Sequence, residues 1–222
     1  MKKIFASILS LTTLLFFTAC GNTAENKSQT GNEKSVVSAA KTTDNKTPNK
    51  ILVVYFSRTG DNYEVGNIEK GNTHIMADII AETLGADTFE IKPVKPYPAD
   101  YKECTEVAKE ELAANARPAI SGKVTNWQDY DTVFLGYPIW WSELPMPVYT
   151  FLESYDWNGK TIIPFCTSAG DVLTGKENNI TKYAKGAKLR EGLGIRGKRA
   201  QDNPESVKAD VTKWLKNLGF VK

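Results

Sequence analysis

The sequence predicts an α/β fold: a doubly wound parallel sheet of five strands in the order 2-1-3-4-5, with helices on both faces. Three observations favour it. Segments of strand length alternate with helical segments throughout residues 50–222, which is typical of parallel sheets. The first strand, "KILVVYF" at 50–56, is almost continuously apolar, as burial on both faces requires. Five strands in one domain of this size suit the 2-1-3-4-5 order.

The other elements follow in order along the chain. Apolar runs predict strands at 87–92, 131–137, 160–167 and within 188–197. Helical spacing of apolar residues predicts helices at 73–85, 99–116 and 145–155, and a weaker one at 175–185. The last helix is predicted to begin after the capping residue Asn203, with Pro204 in its first position, and to end at Gly219.

The segment before residue 50 is predicted to be separate from the fold. Residues 1–19 read as a signal peptide, with Lys2 and Lys3 before an apolar run. The end of that run, "LFFTAC", resembles the lipobox of bacterial lipoproteins, in which the cysteine, here Cys20, carries lipid. Residues 20–49 are polar and read as a disordered tether. We therefore expect an extracytoplasmic protein anchored to a bacterial membrane; the alternative is an ordinary signal peptide cut near Ala19.

Composition excludes several classes of function. Residues 1–19 contain two lysines and no acid, so the rest of the chain has 26 basic and 26 acidic residues, and no basic run indicates nucleic-acid binding. His74 is the only histidine, which excludes metal sites built from several imidazoles and disfavours a Ser-His-Asp triad. Cys104 and Cys166 are expected to be buried thiols, with a disulfide as the alternative. No catalytic residue and no metal ligand is identified.

Three loops lie where a ligand is expected. In such sheets ligands bind outside the carboxyl ends of the strands, where the order reverses, so loops 57–73, 137–145 and 166–176 are the candidates. The first has "SRTG" after strand 1 and "GNT" at the start of a helix, and hydroxyls with a helix N-terminus suit a phosphate. Asp61 to Lys70 between them fit neither strand nor helix and read as a surface excursion that can shape access.

A nucleotide P-loop is the competing interpretation of the first loop. "GNIEKGNT" at 66–73 nearly matches G-x-x-x-x-G-K-[ST], but Asn72 stands where that motif needs lysine, and the stretch begins well beyond strand 1. The second loop, "GYPIWWSELPMP", offers two tryptophans that can face a planar ligand. The third, "CTSAGDVLTG", offers small residues and hydroxyls that can read a polar edge.

Together these residues resemble the flavodoxin-like family, in its branch with a long first loop. The resemblance rests on "ILVVYFSRTG" with the delayed "GNT", on "FLGYPIWW", on "TFLESYDWNGKTIIPFCTS" and on "EGLGIRG", and covers about 50–222. It implies FMN as cofactor. The residues it implies are, for the phosphate, Ser57, Arg58, Thr59, Gly60, Asn72 and Thr73; for one side of the flavin ring, Pro138, Ile139, Trp140 and Trp141; and for the other side or the pyrimidine edge, Thr167, Ser168, Ala169, Gly170 and Asp171.

Two departures from the family leave the redox properties open. Flavodoxins proper are strongly acidic, whereas this chain is neutral, which leaves its redox partner protein or quinone undefined. Ser142 and "SAGD" stand where the family often has glycine. Three functions remain: electron transfer through FMN, an NAD(P)H-dependent quinone or flavin reductase, and a non-redox binding module on the same fold.

Overall fold

The computed structural model describes residues 50–170, 172–173 and 175–222. The predicted signal peptide, the tether and Cys20 lie outside these residues and stay predictions. The strands are β1 (Lys50–Tyr55), β2 (Gly60–Asn62), β3 (Gly66–Ile68), β4 (Asp87–Glu90), β5 (Lys92–Pro93), β6 (Ile120–Ser121), β7 (Tyr130–Pro138), β8 (Thr161–Ser168), β9 (Lys188–Leu189) and β10 (Leu193–Arg196). The helices are α1 (Asn72–Leu84), α2 (Tyr101–Ala113), α3 (Met146–Glu153), α4 (Asn178–Tyr183), α5 (Gly197–Asp202) and α6 (Pro204–Asn217), with a 3₁₀ turn at Trp127–Asp129.

The central sheet has the predicted topology. Its strands lie in the order β4-β1-β7-β8-β10, all parallel, which is the order 2-1-3-4-5 and confirms the prediction. The last strand is split, because β9 pairs with the start of β8 and β10 with its end. Pro164 lies between the two paired segments of β8 and has no N–H to donate, which accounts for the break.

Two apolar layers cover the sheet, one on each face. Along β1, Val53 and Tyr55 belong to the layer formed with α1 and α6, whereas Leu52 and Val54 belong to the layer formed with α3 and α4. This alternation is the two-residue period of a strand. All four side chains are buried, so the prediction of a sheet with helices on both faces is confirmed.

Two elements near the predicted ligand site differ from the expectation. The stretch between "SRTG" and "GNT" is a short antiparallel hairpin of β2 and β3, so the expectation that it fits neither strand nor helix is wrong. Gly60, Glu64 and Gly66 have positive φ angles of 83°, 62° and 67°, which turn the chain tightly. Helix α5 was not predicted, because "GKRAQD" has no apolar periodicity.

Within the residues that the structure describes, no helix is long and apolar enough to cross a membrane. In the same part of the chain, Cys104 and Cys166 are free, buried thiols as expected. The described residues also contain no group of three or more His, Cys, Asp or Glu side chains placed to hold a metal ion.

Candidate functional site

A cavity of about 420 Å³ lies at the carboxyl ends of β7 and β8, beside the start of α1. This is the edge of the sheet where the strand order reverses, as the sequence predicted. Its walls come from the hairpin, α1, α2, the loops after β7 and β8, and α5; the lining residues are Arg58, Asn62, Tyr63, Glu64, Asn72, Tyr101, Cys104, Thr105, Ala108, Pro138, Ile139, Trp140, Trp141, Thr167, Ser168, Ala169, Gly197 and Lys198.

The cavity brings together most of the residues predicted for the site. Those on its wall are Arg58, Asn72, Pro138, Ile139, Trp140, Trp141, Thr167, Ser168 and Ala169. Ser57, Thr59, Gly60, Thr73 and Gly170 are not on the wall, although each is next in sequence to a lining residue or to another member of this group. Asp171 lies outside the described residues. All three predicted loops therefore contribute to one site.

The two halves of the first loop meet at the start of α1. The Ser57 hydroxyl accepts a hydrogen bond from the His74 N–H at 3.1 Å. Gly71, the N-terminal capping position of α1, makes no side-chain cap, and a Cβ there would lie 2.2 Å from Ser57 Oγ. No hydrogen bond from the N–H groups of Asn72 and Thr73 is found among the described residues, so these helix donors remain available to a ligand.

Side chains in the first turn of α1 also join this loop to its neighbours. The Thr73 and Thr167 hydroxyls are 2.7 Å apart and buried, which ties the first loop to the third. His74 packs on the Tyr55 ring, with centroids 4.8 Å apart, and its Nε2 lies 3.5 Å from Asp78. His74 does not line the cavity, consistent with a structural position at the helix start.

Arg58 lines the cavity and also contacts the protein's own backbone. Its guanidinium donates to the backbone carbonyl oxygens of Pro98, Ala99 and Asp100 at 2.8, 2.6 and 3.2 Å, and also to the carbonyl of Asp61. Gly60 serves the same contact, because a Cβ there would lie 2.8 Å from the Ala99 carbonyl oxygen. Both residues therefore hold the first loop against the turn before α2, and the role of Arg58 toward a phosphate stays a prediction.

The second loop is a tight turn that places its two tryptophans differently. Trp140 and Glu143 exchange backbone hydrogen bonds of 3.0 and 2.9 Å, and Trp141 and Ser142 between them have φ angles of 52° and 59°. Trp140 packs edge-on against Phe56, with centroids 5.3 Å apart. Trp141 is 49% exposed and Trp140 is partly buried, and both line the cavity.

Glu143 connects this turn to two helices. Its carboxylate accepts hydrogen bonds from the Tyr149 hydroxyl at 2.7 Å and the Leu144 N–H at 3.1 Å. The other carboxylate oxygen accepts from the Asn179 amide at 3.3 Å. Because Tyr149 is in α3 and Asn179 in α4, the turn that carries the tryptophans is braced against both.

Sequence reasoning missed half of the cavity wall. The missed residues are Asn62, Tyr63, Glu64, Tyr101, Cys104, Thr105, Ala108, Gly197 and Lys198. The helical spacing of Cys104 and Ala108 in α2 marks one face that sequence could have identified. The sequence around Lys198 gives no sign of a binding site, because this residue joins the cavity wall only through the packing of α5 beside α1.

Burial suppresses ionisation of several groups near the site. It raises the pKa of the Cys104 thiol and raises that of Cys166 to about 12, so both thiols stay protonated at neutral pH. Burial likewise raises the pKa of Glu111, whose carboxylate accepts a hydrogen bond from Tyr97, and raises that of the Tyr97 hydroxyl. The thiols are therefore poor nucleophiles.

Comparison with known proteins gives the family. The model of the flavodoxin family matches residues 50–218, and no curated protein matches the chain. A crystal structure assigned as a flavoprotein from Bacteroides eggerthii is 31% identical, covers 78% of this chain and 99% of its own, and has a TM-score of 0.60. One from Bacteroides uniformis is 32% identical, with 74% and 98% covered and a TM-score of 0.59.

A more distant structure shares the fold. The flavoprotein from Lactobacillus acidophilus, solved in complex with FMN, is 21% identical, covers 69% of this chain and 97% of its own, and has a TM-score of 0.53. Together with the match over nearly all the described residues, these similarities show that the chain belongs to the flavodoxin family.

Proposed function

We propose that the protein binds FMN in the cavity described above and transfers electrons through it. One observation carries the proposal. A single cavity is bounded at one place by the start of α1 and at another by Trp140 and Trp141, which matches a ligand with a phosphate and a flat ring. Family membership and the FMN complex of the Lactobacillus acidophilus flavoprotein support it.

The residues present fit FMN. At the start of α1, free N–H groups and the positive end of the helix dipole favour an anion, and the absence of a Cβ at Gly71 lets Ser57 and Arg58 approach this helix start closely. At the tryptophan turn, the exposed ring of Trp141 offers a stacking surface. Its Nε1 donates to the Thr105 carbonyl oxygen at 3.0 Å, which fixes the ring's orientation before a ligand arrives.

When bound, FMN supplies the electron or hydride chemistry. The protein's own residues hold and orient it. Trp140, fixed by the edges of Phe56 and Tyr97, excludes water behind the ring site. The hairpin residue Tyr63 faces Tyr101 of α2 with centroids 6.1 Å apart, and both line the cavity. No acid or base in the described residues needs to be assigned for electron transfer.

The test uses the full-length chain purified in detergent. We expect flavin absorption bands, or their appearance with quenched fluorescence when FMN is added, and a redox titration then gives the potentials. Trp141→Ala should weaken FMN binding, whereas Val94→Ala should not, since Val94 is also exposed, at 62%, but does not line the cavity. No binding of added FMN by the wild type would overturn the proposal.

We also propose that the protein acts outside the cytoplasm as a lipoprotein. The support is in the sequence alone: the apolar run at 4–18, the "LFFTAC" stretch and the polar residues 20–49. Cys20→Ser should abolish incorporation of radiolabelled palmitate and release the protein from membranes. Equal labelling of the wild type and the variant would contradict lipidation at this cysteine.

A reductase acting on quinones is the second candidate. Three of the exposed large apolar side chains, Tyr63, Tyr101 and Trp141, line the same cavity, and such a rim favours a second flat substrate beside the flavin. FMN-loaded protein would then oxidise NAD(P)H steadily when a quinone is present. Turnover no faster than that of free FMN would exclude this activity.

A further inference from the structure

The start of α5 packs directly on the start of α1. A Cβ at Gly197 would lie 2.5 Å from the Asn72 side-chain nitrogen, so the two helix starts are in close contact. Gln201 of α5 donates to the Asn72 side-chain oxygen at 2.7 Å and to the Lys70 carbonyl oxygen at 2.8 Å. These contacts hold the start of α5 against the start of α1, and Asn72, Gly197 and Lys198 line the same cavity.

Of the cationic side chains in the described part of the chain, those of Arg58 and Lys198 line the cavity. Arg58 is committed to backbone carbonyl oxygens, including those of Pro98 and Ala99 at 2.8 and 2.6 Å. Moving it would remove these hydrogen bonds, although the Ala99 oxygen would keep the one from the Asp61 N–H at 2.9 Å. The Arg58 guanidinium therefore already donates hydrogen bonds within the protein, and these bonds hold the first loop in place.

Lys198 is held much less tightly. Its ammonium pairs with Asp202 one helical turn away at 3.0 Å, and the two side chains are 47% and 57% exposed. An exposed pair of this kind contributes little to stability, so the ammonium can turn to a stronger acceptor. Three rotatable donors on a flexible four-carbon stem suit a phosphate oxygen.

Among the described residues, the carboxylate on the cavity wall is that of Glu64, and it is paired. Glu64, from the hairpin, accepts two close hydrogen bonds from Arg196, at 2.8 and 2.9 Å, and Arg196 lies just before Gly197. A dianion at the start of α1 would therefore meet a compensated carboxylate and an available ammonium.

We infer that Lys198 is a cofactor-binding residue that pairs with the phosphate of FMN. The inference rests on the proposed function. It also goes beyond it, because the phosphate would then be held by α5 together with the first loop, and not by the first loop alone. Riboflavin, which lacks the phosphate, would not use Lys198.

The test measures Kd for FMN and for riboflavin by flavin fluorescence quenching with the full-length chain. Lys198→Gln removes the charge, Lys198→Arg keeps it, and Lys213→Gln is the matched control, since Lys213 is exposed on α6 and does not line the cavity. We expect Lys198→Gln to weaken FMN binding about tenfold, as for loss of a charge-assisted hydrogen bond, with little change for Lys198→Arg, for Lys213→Gln or for riboflavin.

A second readout reports on charge near the phosphate. A neighbouring ammonium lowers the second pKa of a phosphate, so the phosphorus-31 titration of bound FMN should move to higher pH in Lys198→Gln. An FMN Kd within twofold of wild type, an equal loss for riboflavin, or an unchanged phosphate titration would each overturn the inference. If the wild type binds no FMN, the proposed function fails first, and this inference fails with it.

Discussion

Gly71→Ala tests whether the two halves of the first loop form one site. A Cβ at this position would lie 2.2 Å from Ser57 Oγ and 2.6 Å from the Arg58 carbonyl oxygen. Gly71 has φ −66°, an angle that any residue adopts, so the substitution introduces no backbone strain. Any loss of stability therefore comes from the added Cβ, which pushes Ser57 and Arg58 of "SRTG" away from "GNT".

The loss of stability depends on how far Ser57 and Arg58 can move away from the new Cβ. Ser57 Oγ can rotate away, but it then loses the hydrogen bond from His74, a loss of about 1 kcal/mol. The Arg58 carbonyl belongs to the backbone and cannot rotate, and overpacking of this kind costs about 1–3 kcal/mol. Replacing glycine by alanine lowers the conformational entropy of the unfolded chain, which stabilises the folded state by about 0.4–1 kcal/mol. We expect a net loss of about 2 kcal/mol and a fall in Tm of about 4–8 °C.

The assay is thermal and urea unfolding of the protein without flavin, followed by titration with FMN. Gly170→Ala is the control, because the nearest atom to a Cβ there is 3.7 Å away, and it should leave Tm nearly unchanged. Gly71→Ala should also weaken FMN binding at least tenfold. If it is as stable as the wild type and binds FMN with the same Kd, the close contact does not matter to the site.

Three further predictions concern the turn, the hairpin and the far end of the sheet. Ser142→Gly should stabilise the protein by about 1 kcal/mol in urea unfolding, because Ser142 is left-handed with φ 59°; no gain would show that the turn is unstrained. Glu64→Gln breaks the ion pair with Arg196, which joins the hairpin to the start of α5. If this pair holds the hairpin beside bound FMN, the variant should raise the FMN dissociation rate up to about fivefold in stopped-flow experiments, with Tm nearly unchanged. An unchanged dissociation rate would contradict this. Burial lowers the pKa of Lys160 below its ordinary value of 10.5, so between the lowered pKa and pH 10.5 the unfolded state binds more protons than the folded state. The free energy of unfolding should therefore rise with pH in this window. Lys160→Met should remove this rise, and an identical pH dependence of the unfolding free energy in both proteins would refute the reasoning.

The sheet could be predicted because its signals are local. The apolar run of β1 and the spacing of apolar residues in α1 and α6 set each element's type, and their alternation predicts a parallel sheet. The strand order was predicted because it is a common one for five strands. The hairpin could not be predicted in the same way. Its strands have three residues each, too few to show a period, and its bends depend on positive φ at Gly60, Glu64 and Gly66.

Residue types at the three loops predicted where the site lies, but not what each side chain does there. For Arg58, the family resemblance implies a contact with the phosphate, and the local sequence says nothing of its contacts within the protein. Its acceptors at Pro98 and Ala99 lie 40 and 41 residues away, and a partner at that separation leaves no trace in the local pattern. Trp140 and Trp141 are adjacent in sequence, yet Trp140 packs against Phe56 whereas Trp141 is exposed. The positive φ angles of Trp141 and Ser142 turn the chain between the two rings.

The sequence by itself determined the fold class and the three loops that meet at one edge of the sheet, since these follow from apolar periodicity and from the alternation of strands and helices. Only the tertiary structure decided which partners the cations on the cavity wall have and that α5 forms part of that wall. Arg58 is held by distant carbonyl oxygens, whereas Lys198 is brought to the site by contact of Gly197 with Asn72. A side chain's partners depend on which segments pack together, and that packing is settled by the whole core rather than by the residues beside it in sequence.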